Sequence, residues 1–316
     1  MSETSYTPPF LMKNGHVQTI FPSLFRRIDG VCYKRERIRT ADDDFLDLDW
    51  STQNHSKLAI LSHGLEGCSS RSYIKGMARA LNDNGWDALA WNYRSCSGEP
   101  NHQLRSYHNG VTDDLAWVID HAGKKRPYQQ IALIGFSLGG NLTLLHIGRE
   151  TPNPMISKAV VFSVPCDLAS SAQTLAKPAN VLYMKRFLKM LHQKVREKKQ
   201  LMPERIDDTG FDQIKNFKDF DDRYTAPIHG FTDARDYWTK CSSKPFIPDI
   251  RIPTLIVNAV NDPFLPEACY PFKEAESNRH VTLLTPESGG HVGFVCFNRQ
   301  NLYWSEKTAV RFLNQD

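Results

Sequence analysis

No stretch of this chain stays apolar long enough to cross a bilayer. The segment Met1 to Pro9 lacks the basic start, apolar middle and small-residue cleavage site of a secretory signal. The expected address is the cytoplasm, and no transmembrane segment is expected. Cysteine is present but unpatterned. The seven residues (32, 68, 96, 166, 241, 269 and 296) are an odd number without a C-x-x-C pair, which argues against both a disulfide framework and a zinc site. Most of them read as buried thiols. Repeats and low-complexity segments are missing too. Charge of one sign is scarce: the formal net charge of +4 is too small to call for nucleic acid. What remains is an ordinary globular composition, 41% apolar and 23% charged, over 316 residues. That is enough for a sizeable core and for one α/β domain spanning 1–316 with an insertion.

The most informative stretch is Ile131-Ala132-Leu133-Ile134-Gly135-Phe136-Ser137-Leu138-Gly139-Gly140, an apolar run that enters G-x-S-x-G. It predicts a strand, a sharp turn and a helix carrying Leu142, Leu144, Leu145 and Ile147. A serine hydroxyl is a poor nucleophile unless a base reaches it, and glycines on either side give the clearance to place it at a strand end. The bland alternative is a Gly-rich turn whose serine caps the following helix. The rest of the chain decides between them.

Before this stretch, an N-terminal arm at about 1–30 mixes prolines with apolar residues and reads as irregular chain packed on the domain. Its His16 reads as a packing residue. Residues 31–39 and 45–50 are candidate antiparallel edge strands around the acidic turn Asp42-Asp43-Asp44. Lys57 to Ser62 is a strand opening into His63-Gly64-Leu65-Glu66-Gly67. An acyl-transfer site needs two backbone N–H donors for the developing oxyanion, and Leu65 and Leu138 stand where such donors are needed. His63 is expected to shape its loop by hydrogen bonds, and Glu66 to be a loop carboxylate. Strand and helix patterns then alternate: Tyr73 to Leu81 helical, Trp86 to Trp91 a strand, Thr112 to Ile119 helical. This argues for a parallel sheet covered on both faces.

After a strand at Lys158 to Val164, regularity stops for about eighty residues, far longer than an ordinary connection. This span, about 165–250, is read as a helical lid. Val181, Met184, Leu188, Leu191 and Val195 give one apolar face, with Lys185, Arg186, Lys189, Lys194 and Arg196 elsewhere on the helix. These cations read as a solvated face, peripheral contact with an anionic lipid surface being the alternative. Two strands follow, each ending in a loop with a candidate catalytic residue: Asn261-Asp262-Pro263 and Gly289-Gly290-His291. In a parallel sheet both loops emerge on the edge that carries Ser137. His291 would be the base and Asp262 its orienting acid, in the chain order Ser, Asp, His. His280 begins its strand and so lies at the wrong edge. Asp167 is the rival acid, and Asn-Asp-Pro is also ordinary turn chemistry.

Taken together, Gly15-His16-Val17-Gln18-Thr19, His63-Gly64-Leu65-Glu66-Gly67, Arg94 to Asn101, Tyr107-His108-Asn109-Gly110, the Ser137 elbow, Asn261-Asp262-Pro263 and Gly289 to Phe294 resemble the YheT-like branch of the α/β-hydrolases. The resemblance covers nearly the whole chain. One departure is Ser95, where glycine is expected after Arg94. The resemblance implies an α/β-hydrolase fold, with a mostly parallel eight-stranded sheet, helices on both faces and a helical lid insertion. It also implies a soluble member of bacterial type, because eukaryotic relatives usually start with a membrane anchor. The expected activity is that of a serine carboxylesterase working through an acyl-enzyme on a small-molecule or lipid-like ester, without metal or organic cofactor. Acyl transfer, thioester or lysophospholipid hydrolysis by the same residues are the near alternatives, and a non-catalytic binding module the distant one. Pocket preference and oligomeric state are not readable from the chain.

Overall fold

The apolar run before Ser137 lies at the centre of the sheet. In a computed structural model, which describes residues 5–150 and 153–315, the described residues form eight strands. These are β1 (Lys34–Arg39), β2 (Phe45–Ser51), β3 (Lys57–Ser62), β4 (Asp87–Asn92), β5 (Gln130–Phe136), β6 (Ile156–Phe162), β7 (Thr254–Val257) and β8 (Val281–Leu284). Their order across the sheet is β1-β2-β4-β3-β5-β6-β7-β8. The pairs of β2 with β1 and with β4 are antiparallel, and the others are parallel. Ahead of the sheet runs α1 (Gly15–Phe25); α2 (Ser72–Asn82), α3 (Thr112–Lys125) and α4 (Leu138–Arg149) join β3 through β6.

Strand residues alternate between two cores, as a sheet covered on both faces requires. Leu58, Ile60, Ile131 and Leu133 face Leu115, Val118 and Leu142 of α3 and α4. Ala59, Leu61, Ala132 and Ile134 face Ile74, Met77 and Leu81 of α2. Register then sets the site. Phe136, Phe162, Val257 and Leu284 form one row across β5 to β8. The loops that follow these residues therefore leave the sheet side by side.

Between β6 and β7 the chain builds a helical insertion from α5 (Leu168–Leu175), α6 (Val181–Leu201), α7 (Phe217–Phe220), α8 (Ala226–His229) and α9 (Ala234–Cys241). On α6, Met184, Leu188, Leu191 and Val195 are buried against Phe211, Phe220 and Phe264, at the spacing that predicts them, whereas Val181 is exposed. The short α10 (Phe272–Glu276) links β7 to β8, and α11 (Trp304–Asn314) closes the α2 face of the sheet.

Two expectations need correction. The arm is not irregular: Asn14 caps α1, its side chain accepting from the His16 and Val17 N–H groups. Residues 1–4 of the arm lie outside the described residues. Of the free cysteines, Cys166, Cys241 and Cys269 are buried, Cys68, Cys96 and Cys296 half-buried, and Cys32 exposed. Among the described residues no helix is long and apolar enough to cross a membrane. Ser95 shows why glycine is expected there. Its φ of +60° is left-handed, and its Oγ offsets the strain by accepting from the Asn101 N–H at 3.0 Å.

Candidate active site

Ser137 joins β5 to α4 with φ +53° and ψ −117°, a conformation that costs an L-residue about 1–3 kcal/mol. The turn is possible because its flanks carry no Cβ. A Cβ on Gly135 would stand 2.3 Å from the Gly139 carbonyl oxygen, and one on Gly139 would stand 2.3 Å from that of Ser62. G-x-S-x-G is thus a steric requirement of bringing strand, turn and helix this close.

The hydroxyl so presented meets the two loops that leave β7 and β8. Ser137 Oγ lies 2.8 Å from His291 Nε2, and His291 Nδ1 lies 2.8 Å from Asp262 Oδ2. Asp262 is buried, and its Oδ1 accepts from the Phe264 N–H at 2.9 Å. The Phe264 ring covers the imidazole at 4.2 Å between centroids. With Nδ1–H donating to the carboxylate, Nε2 is left to accept from the serine hydroxyl.

Three side chains from separate elements hold the histidine loop. The Gly290 N–H donates to Asn261 Oδ1, the His291 N–H to Thr19 Oγ1, and the Val292 N–H to Ser163 Oγ, each at 2.9 Å. Thr19 in turn donates to the Gly15 carbonyl at 2.7 Å, so its hydroxyl is fixed as an acceptor toward His291. Thr19 and Ser163 are absent from the sequence-based site. The Gly-His-Val-Gln-Thr motif was the available signal, but nothing in the chain tells that it packs under a loop 272 residues away.

The loop after β3 lies beside the serine: a Cβ on Gly64 would be 3.3 Å from Ser137 Cβ. Most of its N–H groups already have acceptors in the protein. Gly64 donates to the Tyr73 hydroxyl, Glu66 to the Tyr107 hydroxyl and Gly67 to the Gly64 carbonyl, each at 3.0 Å. Among the described residues the N–H groups of Leu65 and Leu138 donate to no protein acceptor, which is the property an oxyanion donor needs. His63 shapes this loop, donating from Nδ1 to the Gly64 carbonyl while Nε2 accepts from the Tyr93 N–H. Burial pushes its pKa down to about 3, so it stays neutral.

Glu66 is buried at φ +54° and takes the Tyr107 hydroxyl at 2.5 Å and Lys194 Nζ at 3.1 Å. This corrects the solvated reading of Lys194, which reaches inward from α6 to the loop and to Cys96 Sγ at 2.8 Å. Lys185, Arg186, Lys189 and Arg196 are exposed as expected. His16 stacks on Tyr183 of α6. Asp167 does not join His291: it caps α5, accepting from the Ser170 N–H at 2.8 Å. His280 precedes β8, at the opposite end from the site.

Ser137 and His291 open into a cavity of about 560 Å³. Its apolar wall comes largely from the insertion, with Leu168, Leu175, Phe187, Leu191, Phe217 and Phe220. Asp221, in a π-helical turn, also lines it and accepts from Thr225 and from Trp238 Nε1. Burial, with Asp222 adding to it, pushes its pKa up from 3.8 to about 7. The folded chain therefore keeps a proton that the unfolded chain releases above the ordinary carboxyl pKa. Stability is expected to fall as pH rises through this window and to level off beyond it. Thermal melts between about pH 4 and pH 8 should show Asp221→Asn gaining on the parent as pH rises.

A strand, a strained serine turn and a helix, set in a mostly parallel sheet with helices on both faces, define an α/β-hydrolase. The chain belongs to that family: the model of the alpha/beta hydrolase fold matches residues 60–295. Within it the chain is closely related to the YheT-like esterase branch. It is 33% identical over 300 residues to YheT of Escherichia coli strain K12, named as a candidate esterase, across 93% of this chain and 88% of that protein. It is 29% identical over 311 residues to human phospholipase ABHD3, covering 95% of this chain and 76% of the relative. Among solved structures, the Pyrococcus furiosus esterase Pf2001 superposes with a TM-score of 0.62 at 16% identity, covering 97% of this chain and 98% of that one, a likeness of fold. The chain is a hydrolytic enzyme of esterase type.

Proposed function

We propose that the chain is a serine carboxylesterase acting through Ser137, His291 and Asp262. The observation that carries this reading is the hydrogen-bonded series Ser137 Oγ, His291, Asp262 at the base of the cavity. Ser137 attacks the acyl carbonyl as His291 Nε2 takes its proton, and Asp262 holds the tautomer and stabilises the imidazolium. The N–H groups of Leu65 and Leu138 receive the oxyanion. His291 returns the proton to the leaving alcohol, then activates the water that frees the acid. The insertion at about 165–250 acts as a lid that keeps the cavity apolar, in one domain with the sheet. The apolar wall favours an ester with a hydrocarbon acyl chain. No step calls for a metal or organic cofactor.

The test is hydrolysis of p-nitrophenyl esters graded by acyl length, with and without an added alcohol. A length optimum and release of free acid support the reading; exclusive formation of the new ester assigns an acyltransferase, and absence of turnover overturns both. Thr19 is a positioning residue within this scheme. Thr19→Val removes the bond to the Gly15 carbonyl and the one that holds the His291 N–H, the latter about 1 kcal/mol, and is expected to lower kcat about five- to tenfold with little change in KM. Thr19→Ser, which keeps the hydroxyl, should restore it in the same steady-state assay.

A further inference from the structure

α1 is packed inside out. Its buried residues are Gly15, Gln18 and Pro22, while Val17, Ile20, Leu24 and Phe25 face outward. The inner face is small and polar because it lies against backbone: a Cβ on Gly15 would be 2.0 Å from the Asn261 carbonyl oxygen, and one on Gly293 2.5 Å from that of Gln18. That contact explains the inner residues and leaves the outer ones free to be polar. They are apolar instead, Leu24 being 52% and Phe25 66% exposed.

The patch continues beyond the helix. Phe21 links Phe25 to Phe297, itself 62% exposed, with ring centroids 5.2 Å and 5.8 Å apart. The stack of His16 on Tyr183 brings the start of α1 against the start of α6, where Leu182 is 74% exposed. Ile20, Tyr183 and Arg186 also line the cavity, so the patch borders its mouth. A patch of this kind marks an interaction surface.

Charge selects the partner. Residues 5–28 and 168–196 contain no aspartate or glutamate. Lys13, Arg27, Lys185, Arg186 and Lys189 are exposed on these two segments. A two-fold pairing through this face would bring cations against cations. An anionic bilayer satisfies both features, its acyl region taking Leu24, Phe25 and Leu182 and its phosphates the basic rim.

We propose that the outer face of α1, together with Leu182 and the basic side of α6, docks on anionic lipid bilayers with the cavity mouth turned toward the membrane. Docking stands on the surface alone. Its consequence, that ester substrates enter Ser137's cavity from the bilayer, rests on the esterase reading. Binding is therefore measured on the full-length chain carrying Ser137→Ala, so that it is read without turnover. This protein is expected to cosediment at low salt with vesicles of phosphatidylglycerol and phosphatidylcholine in equal parts, and far less with phosphatidylcholine alone or at high salt. Adding Leu24→Ser with Phe25→Ser, or separately Lys185→Glu with Lys189→Glu, should weaken binding about tenfold or more. The same surface changes on the Ser137 background should leave turnover of water-soluble p-nitrophenyl butyrate within about twofold, which shows that the site is intact. Absence of binding to the mixed vesicles overturns the proposal, as does equal binding by both double variants. A lipid-free dimer that Leu24→Ser with Phe25→Ser dissolves assigns the face to a second copy instead. Vesicle binding by a chain that hydrolyses no ester would remove the esterase reading and keep the docking.

Discussion

Ser137→Ala is expected to lower kcat on p-nitrophenyl esters by about 10⁵- to 10⁶-fold, to leave KM nearly unchanged and to abolish labelling by a fluorophosphonate probe. In the proposed scheme the loss is this large because Ser137 Oγ is the attacking atom. Without it only binding and the proposed oxyanion donors remain, and water must attack unaided. Undiminished turnover or labelling would assign the chemistry elsewhere. Serine and alanine share the same backbone problem at φ +53° and ψ −117°, so the alanine variant should melt close to the parent. Ser137→Gly should be equally inactive yet melt higher than Ser137→Ala, because glycine adopts this conformation without penalty. The comparison separates the strain of the turn, about 1–3 kcal/mol, from the chemistry it serves.

What the chain reveals of its fold follows from where its apolar residues point. The strands leading to Ser137 and Asp262 are legible because they are buried on both faces and read as apolar runs, whereas β8, which leads to His291, is an edge strand with only Val281 buried. The row of strand ends at Phe136, Val257 and Leu284 then brings their loops together. α1 misleads for the opposite reason: its apolar residues face outward and its core face is Gly15, Gln18 and Pro22. α11 has no counterpart among the expectations. Its buried face includes Ser305, Glu306 and Thr308, with Glu306 paired to Arg26 at 2.8 Å, and polar residues give no apolar period.

The site divides the same way. Residue types with a chemistry of their own, Ser137, His291, Asp262 and the glycines around Leu65, can be nominated from spacing. The residues that support them cannot. Thr19 serves His291 through one hydroxyl, and Lys194 reaches Glu66 from a helix whose local pattern predicts a solvated cation. Such roles exist only once segments far apart in the chain meet, and no periodicity records them.

The carboxylate assignment yields the second large effect. Asp262→Asn should lower kcat about 10⁴-fold, while Asp167→Asn should change it less than about twofold. The direction follows from the hydrogen bonds. Asp262 Oδ1 accepts from the Phe264 N–H at 2.9 Å, which keeps an oxygen at that position in the variant. The amide nitrogen is thereby forced to the δ2 position, 2.8 Å from His291 Nδ1. An amide N–H there donates to Nδ1 and drives the ring proton to Nε2, where it faces Ser137 and can no longer accept the hydroxyl proton. The side chain keeps its volume, so the loss is one of tautomer rather than packing, and KM and melting temperature should move little. Asp167 acts as a helix cap, for which asparagine substitutes well. Steady-state kinetics on both variants decides the matter: a collapse confined to Asp167→Asn would move the acid to the end of β6.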